Sequence, residues 1–258
     1  MKLSEELIAS LETISTSGDL LLCCDFDGTL SEIAPCPEDA VLLPGMRSLL
    51  LSLAQQANTR VSIVSGRSLV DLKAVTQLAE PIFLIGSHGA ELEFAISYRL
   101  NSNQKALLCC LQHTLELLVR KVDGAHIECK PYSIAVHVRR ASSIDAQHVL
   151  RAVKEGPGVW PGVVCLDGKE IVELSVYRAD KGQAITLLRK HVGDRHKVIY
   201  IGDDKTDEHA FATLRSHDIG VKVGEGSSVA EYRVDCPQSV FDMLTIIKEA
   251  RLQDAPLT

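Results

Sequence analysis

The chain has 258 residues, 46% of them hydrophobic and 24% charged, which is the balance of an ordinary globular protein able to bury a large core. Acidic residues (34) outnumber basic ones (27), the formal charge is −7, and no Lys/Arg run offsets it, which argues against a nucleic-acid partner. No apolar run reaches the ~18 residues of a membrane span and the N-terminus has no signal-like apolar core, so the expectation is a cytoplasmic protein with no membrane partner.

Met1 to Ser10 reads as an amphipathic helix. Leu20 to Cys24 is a short apolar run ending in acid and glycine, the pattern of a buried parallel strand. A helix is expected over Gly45 to Ala57, a strand over Arg60 to Val64, a helix over Leu69 to Leu78 and a strand over Pro81 to Ile85. The rhythm then changes. Gly89 to Arg99 alternates like a hairpin. Gln104 to Lys121 is a longer helix with a Leu107, Leu111, Leu115, Leu118 stripe. Strands over Ala125 to Cys129 and Ser133 to Arg139 follow, then a helix over Ser143 to Lys154. Strands over Val163 to Leu166 and Glu170 to Val176 flank an Asp167-Gly168 turn signal. The α/β rhythm resumes with helices over Gly182 to His191, Glu208 to Leu214 and Val240 to Arg251, and strands over Lys197 to Ile201 and Asp218 to Val223. The expected organisation is a discontinuous α/β core, residues 1–94 plus 178–258, with an α+β domain inserted at 95–177.

Eight cysteines include the pairs Cys23-Cys24 and Cys109-Cys110 but no C-x-x-C, so zinc is not indicated and free, buried thiols are expected.

Four stretches carry chemistry. Asp25-Phe26-Asp27-Gly28-Thr29-Leu30 follows the first strand, where open α/β sheets bind ligands. Residues two apart in extended chain point the same way, so both carboxylates can face one site. Two such acids suit phosphoryl transfer, one attacking phosphorus and the other handling the leaving-group proton. Capping of the next element is the plainer alternative. Ser65 ends the second strand and, with the Gly66 amide, could bind phosphate oxygens. Lys181 opens a helix, where ammonium and helix N-terminus both favour an anion; a solvated lysine is the alternative. Gly202-Asp203-Asp204-Lys205-Thr206-Asp207-Glu208 gathers four acids at a strand end, which suggests a divalent cation with oxygen ligands, magnesium best of all, or a helix cap, or both.

The order acid pair, serine, lysine, acid cluster resembles the haloacid-dehalogenase superfamily of phosphatases. That resemblance implies a Rossmann-like, doubly wound parallel-sheet core with an inserted α+β cap. More narrowly, the motifs resemble those of the trehalose-6-phosphate phosphatase family in its short bacterial form. They are Asp-Phe-Asp-Gly-Thr-Leu at 25–30, Ser-Gly-Arg at 65–67, Gly-Ser-His-Gly-Ala-Glu at 86–91 and Gly-Asp-Asp-x-Thr-Asp-Glu at 202–208. In the cap, Glu128-Cys129-Lys130, His137-Val138-Arg139 and Ile171-Val172-Glu173-Leu174 resemble the family's segments. Val138 departs from its usual tyrosine, and Tyr177-Arg178-Ala179-Asp180 from its proline-rich approach to the lysine.

The resemblance implies trehalose 6-phosphate as substrate and Asp25 as nucleophile, with Asp27 as acid and base and Ser65 and Lys181 on the phosphate oxygens. It implies magnesium held by Asp25, the Asp27 carbonyl and Asp203, with Asp204 or Asp207 acting through water. Glu128, Lys130 and Glu173 would read the sugar, and Arg67, His88 and Glu91 would line the domain boundary; for His88 a turn role stands equally open. Rival readings are a phosphatase for sucrose phosphate or mannosyl-phosphoglycerate, and a catalytically silent sugar-phosphate-binding regulator. The sequence carries no signal for or against association with a trehalose-phosphate synthase.

Overall fold

A computed structural model describes residues 3–95, 98–168 and 170–253. The chain divides into two compact units, Met1–Ser97 with Asp180–Thr258, and Tyr98–Ala179. Helix α1 (Glu5–Ser15) is capped by the Ser4 hydroxyl, which accepts from the Leu7 amide at 3.2 Å, and buries Leu7, Leu11 and Ile14. Met1 and Lys2 of the expected helix lie outside the described residues. Strand β1 (Leu20–Cys24) is buried throughout. Helix α2 (Met46–Ala54), strand β2 (Thr59–Val64), helix α3 (Leu69–Thr76) and strand β3 (Ile82–Gly86) follow, each within a few residues of its expected place. The hairpin expected over Gly89–Arg99 is smaller. Among the described residues only β4 (Glu91–Leu92) is a strand, and it pairs antiparallel with the end of β3, at the edge of the core sheet.

The second unit begins with α4 (Ser102–Val119), closed at its start by a capping box of Asn101 and Gln104. Strands β5 (His126–Cys129) and β6 (Ser133–His137), helix α5 (Ser143–Glu155), and strands β7 (Val164–Gly168) and β8 (Ile171–Ser175) complete it. The four strands form an antiparallel sheet in the order β5-β6-β8-β7. Ile134, Val136, Val172 and Leu174 face one way, into a core with Leu111 and Leu115 of α4 and Val149 and Val153 of α5. The period of two puts Ser133, Ala135, His137 and Glu173 on the other face. Asp167-Gly168 is not the turn. Both residues pair within the sheet, with Val172 and Ile171, and the left-handed residue beyond them is Glu170. The buried-thiol expectation holds for Cys23, Cys24 and Cys36 only. Cys109, Cys110, Cys129 and Cys165 are exposed and Cys236 is intermediate, though all are free. The reason at Cys109-Cys110 is phase, since α4 buries 111, 115 and 119 and turns 109 and 110 outward.

The chain returns to the first unit with α6 (Lys181–Val192), β9 (Lys197–Gly202), α7 (Asp207–Phe211), β10 (Ile219–Val223), β11 (Tyr232–Val234) and α8 (Pro237–Gln253). Strand β11 is too short and polar for the sequence pattern to reveal. The core sheet runs β11-β10-β9-β1-β2-β3-β4, parallel except for β4. Leu20, Leu22, Cys24, Ile63 and Ile201 face α1, α2 and α8, while Leu21, Cys23, Val198 and Tyr200 face α6 and α7. Helices thus cover both faces, as a doubly wound sheet requires. Strand order reverses at β1, which places the ligand crevice at the carboxyl ends of β1, β2 and β9. Among the described residues no helix is long and apolar enough to cross a membrane.

Arg251 of α8 ties this unit together. Its buried guanidinium donates to the carbonyls of Ser15 (2.7 Å), Gly18 (2.6 Å) and Ala57 (2.7 Å) and to the Thr59 hydroxyl (3.0 Å). Arg251→Ala is expected to cost about 3 kcal/mol in a urea melt, because buried acceptors lose a charged donor. A loss under about 1 kcal/mol would show that water replaces the guanidinium readily.

Candidate active site

Asp25 leaves the end of β1 with its amide bonded to the Ile201 carbonyl of β9 at 2.9 Å, so its position is fixed by the sheet itself. Its buried carboxylate accepts from Lys181 Nζ at 2.6 Å. The same ammonium reaches Asp207 Oδ1 at 2.7 Å, and that oxygen also accepts the Tyr200 hydroxyl at 2.6 Å. Asp207 Oδ2 takes the Asp204 amide at 2.9 Å. Carboxylate oxygens of Asp25, Asp203 and Asp207 lie within 4.8 Å of one another. Two glycines make this crowding feasible. At Gly28 (φ +81) a Cβ would strike the Asp203 carboxylate, and at Gly202 it would strike the side chain of Asp207.

The charges do not balance. Burial, opposed by Lys181 and reinforced by Asp207 and Asp203, pushes the Asp25 carboxyl well above the usual range. Burial and the charge of Asp207 raise Asp203 to about 7. Burial would lower Lys181, but Asp207 and Asp25 outweigh it and keep the ammonium charged. Tyr200 is driven up by burial and then by Asp207, so it stays a donor. Lys222 helps only indirectly, since its ammonium bonds the carbonyls of Asp203 and Val223. Three converging carboxylates, two of which share one ammonium, suit a divalent cation with hard oxygen ligands.

Asp27 has a different environment. Its carboxylate is gripped bidentately by one edge of the Arg67 guanidinium, Nε to Oδ2 at 2.8 Å and Nη2 to Oδ1 at 2.7 Å. Arg67 also holds Asp71 at 2.7 Å and stacks over Phe26. The Asp27 side chain is 38% exposed against 7% for Asp25. Ser65 is buried at the end of β2, and its hydroxyl accepts the Arg67 amide at 3.2 Å, which leaves its proton to donate. The His88 ring lies against Gly66, inside a left-handed turn of Ser87 (φ 48), His88 (φ 54) and Gly89. Glu91 braces that turn, accepting from the Ser87 hydroxyl at 2.6 Å and the Leu69 amide at 3.1 Å. At the start of α6, Asp180 takes the amides of Gly182 (2.8 Å) and Gln183 (3.2 Å), so anion attraction there falls to the Lys181 ammonium rather than to free helix amides. Asp204 is exposed.

In the second unit, Glu173 is buried and accepts from Lys130 Nζ at 2.8 Å and the Ser133 hydroxyl at 2.6 Å. Glu128 bonds His137 Nε2 at 3.0 Å. Tyr200, Asp71 and Ser133 escaped sequence reasoning. Ser133 shares the period-two face of Glu173 and was legible from strand register, whereas Tyr200 and Asp71 had no signal beyond sitting near a motif.

Comparison with known proteins adds the following. The trehalose-phosphatase family profile matches residues 23–238. An uncharacterised glycosyl hydrolase of Mycobacterium tuberculosis is 32% identical over 98% of this chain, which spans only 20% of that relative's length. The trehalose-6-phosphate phosphatase of Escherichia coli is 30% identical, with 94% of this chain and 91% of the relative covered. A solved trehalose-6-phosphate phosphatase related protein superposes with a TM-score of 0.74 at 30% identity, covering 91% of this chain and all (100%) of that one.

The acid cluster predicts a pH-dependent cation effect. A carboxyl raised to about 7 holds a proton in the folded state that it has lost in the unfolded state, so its contribution to stability falls as pH rises from about 4 to about 7. A divalent cation competes with that proton. Magnesium added to chelator-treated protein should therefore raise Tm more at pH 8 than at pH 6. Equal shifts at both pH values would remove Asp203 from the cation site.

Proposed function

The chain belongs to the trehalose-phosphatase family, and we propose that it hydrolyses trehalose 6-phosphate to trehalose and inorganic phosphate through a phosphorylated Asp25. The observation that carries this reading is the buried Asp25–Lys181–Asp207 network with Asp203 beside it, at the carboxyl end of the central strand. Asp25 Oδ attacks phosphorus as the bond to the sugar oxygen breaks, and Asp27 delivers the proton that oxygen needs. A water then gives its proton to Asp27 and attacks the aspartyl phosphate, which releases phosphate and restores Asp25. The two environments fit the two roles. The dry carboxylate is held by an ammonium, while the half-exposed one exchanges protons with water and is oriented by Arg67.

A magnesium ion, held by Asp25 and Asp203 with the Asp27 carbonyl and with Asp207 or Asp204 nearby, would supply charge to the transferring phosphoryl group. Lys181 and Ser65 neutralise phosphoryl oxygens. Glu128, Lys130 and Glu173 read sugar hydroxyls, His88 meets the substrate beside Gly66, and Glu91 serves by bracing the turn that carries His88.

The direct test is phosphate release from trehalose 6-phosphate, with and without chelator, beside sucrose phosphate, mannosyl-phosphoglycerate and an aryl phosphate. Release from trehalose 6-phosphate that stops in chelator and returns with magnesium is expected; preference for another sugar ester would move the assignment there, and no turnover of any would favour a regulator. Asp25→Asn is isosteric and should abolish turnover with the fold intact, and ordinary activity in that variant would falsify the aspartyl-phosphate route. Lys130→Ala and Glu173→Ala should lower kcat/KM for trehalose 6-phosphate roughly ten- to a hundredfold, as loss of a charged hydrogen bond implies, and leave the aryl ester within a few-fold. Equal losses on both substrates would make these residues structural or catalytic rather than sugar-reading.

A further inference from the structure

Tyr200 belongs to no recognised motif, yet its hydroxyl ends in the centre of the charge network. It sits on β9, fully buried, with its ring edge-on to Phe211 at 5.5 Å. Its hydroxyl donates at 2.6 Å to Asp207 Oδ1, the same oxygen that takes Lys181 at 2.7 Å. Lys181 is thus shared between two carboxylates, Asp25 on one side and an Asp207 oxygen already partly satisfied on the other. We propose that Tyr200 is a positioning residue for phosphoryl transfer, whose hydroxyl weakens the hold of Asp207 on Lys181 and so leaves the ammonium free to follow negative charge from Asp25 onto the phosphoryl oxygens. The inference rests on the phosphatase reading above.

The physical ground is competition for one oxygen. A carboxylate oxygen in a dry site binds its donors more strongly as their number falls, because each remaining donor meets more uncompensated charge. Without the phenol, Lys181 is the only side-chain donor on Oδ1 among the described residues, while the Asp204 amide still holds Oδ2. The ammonium then leans to Asp207 and away from the reacting atoms. During transfer, charge accumulates on the phosphoryl oxygens, and a cation tied elsewhere stabilises that charge less. The effect acts on the transition state rather than on ground-state affinity, so it appears in kcat. It is independent of the sugar, because the network meets only the phosphoryl group.

The test is Tyr200→Phe, which removes the hydroxyl and keeps the ring. With p-nitrophenyl phosphate and with trehalose 6-phosphate, kcat per active site should fall roughly tenfold, the scale of one hydrogen bond to a charged group, with KM and the magnesium requirement within twofold of wild type. Phe211→Leu disturbs the same packing without touching the hydroxyl; it should lower Tm and keep kcat per active site. Unchanged kcat in Tyr200→Phe, or an equal kcat loss in Phe211→Leu, overturns the proposal. If Tyr200→Phe does not fold, a Tyr200→Met variant is the second substitution, and the same tenfold loss is required of it. Wild-type protein that cleaves the aryl ester but not trehalose 6-phosphate sinks the substrate assignment and leaves the Tyr200 result decisive. Wild-type protein inert toward both overturns the two together.

Discussion

One ammonium organises the first unit. Lys181 is 156 residues from Asp25 and 26 from Asp207, and it binds both while almost completely buried. Breaking a buried ion pair by removing one partner strands the other charge, which is among the costlier single changes a protein can suffer. The three groups meet only if β1 and β9 are neighbours and α6 packs behind them. Register pairs Cys24 with Ile201, which brings Asp25 level with the start of the acidic loop. A chain interrupted by an 82-residue unit, Tyr98–Ala179, thereby gains a reason to close on one topology. The constellation proposed to perform chemistry is also a specificity device for the fold, because wrong pairings leave these charges unmatched.

The second unit follows a different logic. An antiparallel sheet packed by helices on one side can place polar groups on the other. Here that face carries Glu173 in the middle of β8, held by Lys130 and Ser133 from the neighbouring chain segment. Burying a carboxylate with two donors fixes its direction before any ligand arrives, so less ordering remains for binding to supply. The opposite face packs Ile134, Val136, Val172 and Leu174 into the core, and their alternation sets the register that delivers these polar groups. The proposed sugar-reading groups and the core packing are therefore two sides of one period-two pattern.

Much of this was legible in the sequence, for reasons that differ by residue. Strand β1 was exact because Leu20 to Cys24 is buried on both faces and reads as an unbroken apolar run. The acids after β1 and β9 were legible because glycine beside aspartate at a strand end has few purposes. The hairpin of β7 and β8 was recognised but its turn misplaced, since Asp-Gly is a strong turn signal and the strand continued through it. Cys109 and Cys110 sit in an apolar run that suggests burial, and helical phase turns them outward instead. Partners across long sequence separations stayed hidden: that Arg67 would hold Asp27, or Arg251 collect four acceptors, depends on tertiary approach that no local pattern encodes.

Asp25 and Asp27 show how far such approach matters. They are identical residues, two positions apart in one motif, and only the family resemblance, not residue type or spacing, assigns them different work. The structure separates them through their cations. Lys is a compact point charge that can sit in a dry pocket between two carboxylates and shift between them with small movements of a flexible stem. Arg offers a planar fork that fixes a carboxylate in one orientation, and Asp71 and the Phe26 ring fix Arg67 in turn. A nucleophile must surrender its partner as it bonds to phosphorus, so a movable ammonium suits Asp25. A proton carrier must keep its direction through two opposite transfers, so a rigid guanidinium suits Asp27. The division of labour proposed for the two acids is thus written less in the acids than in the choice of lysine at 181 and arginine at 67.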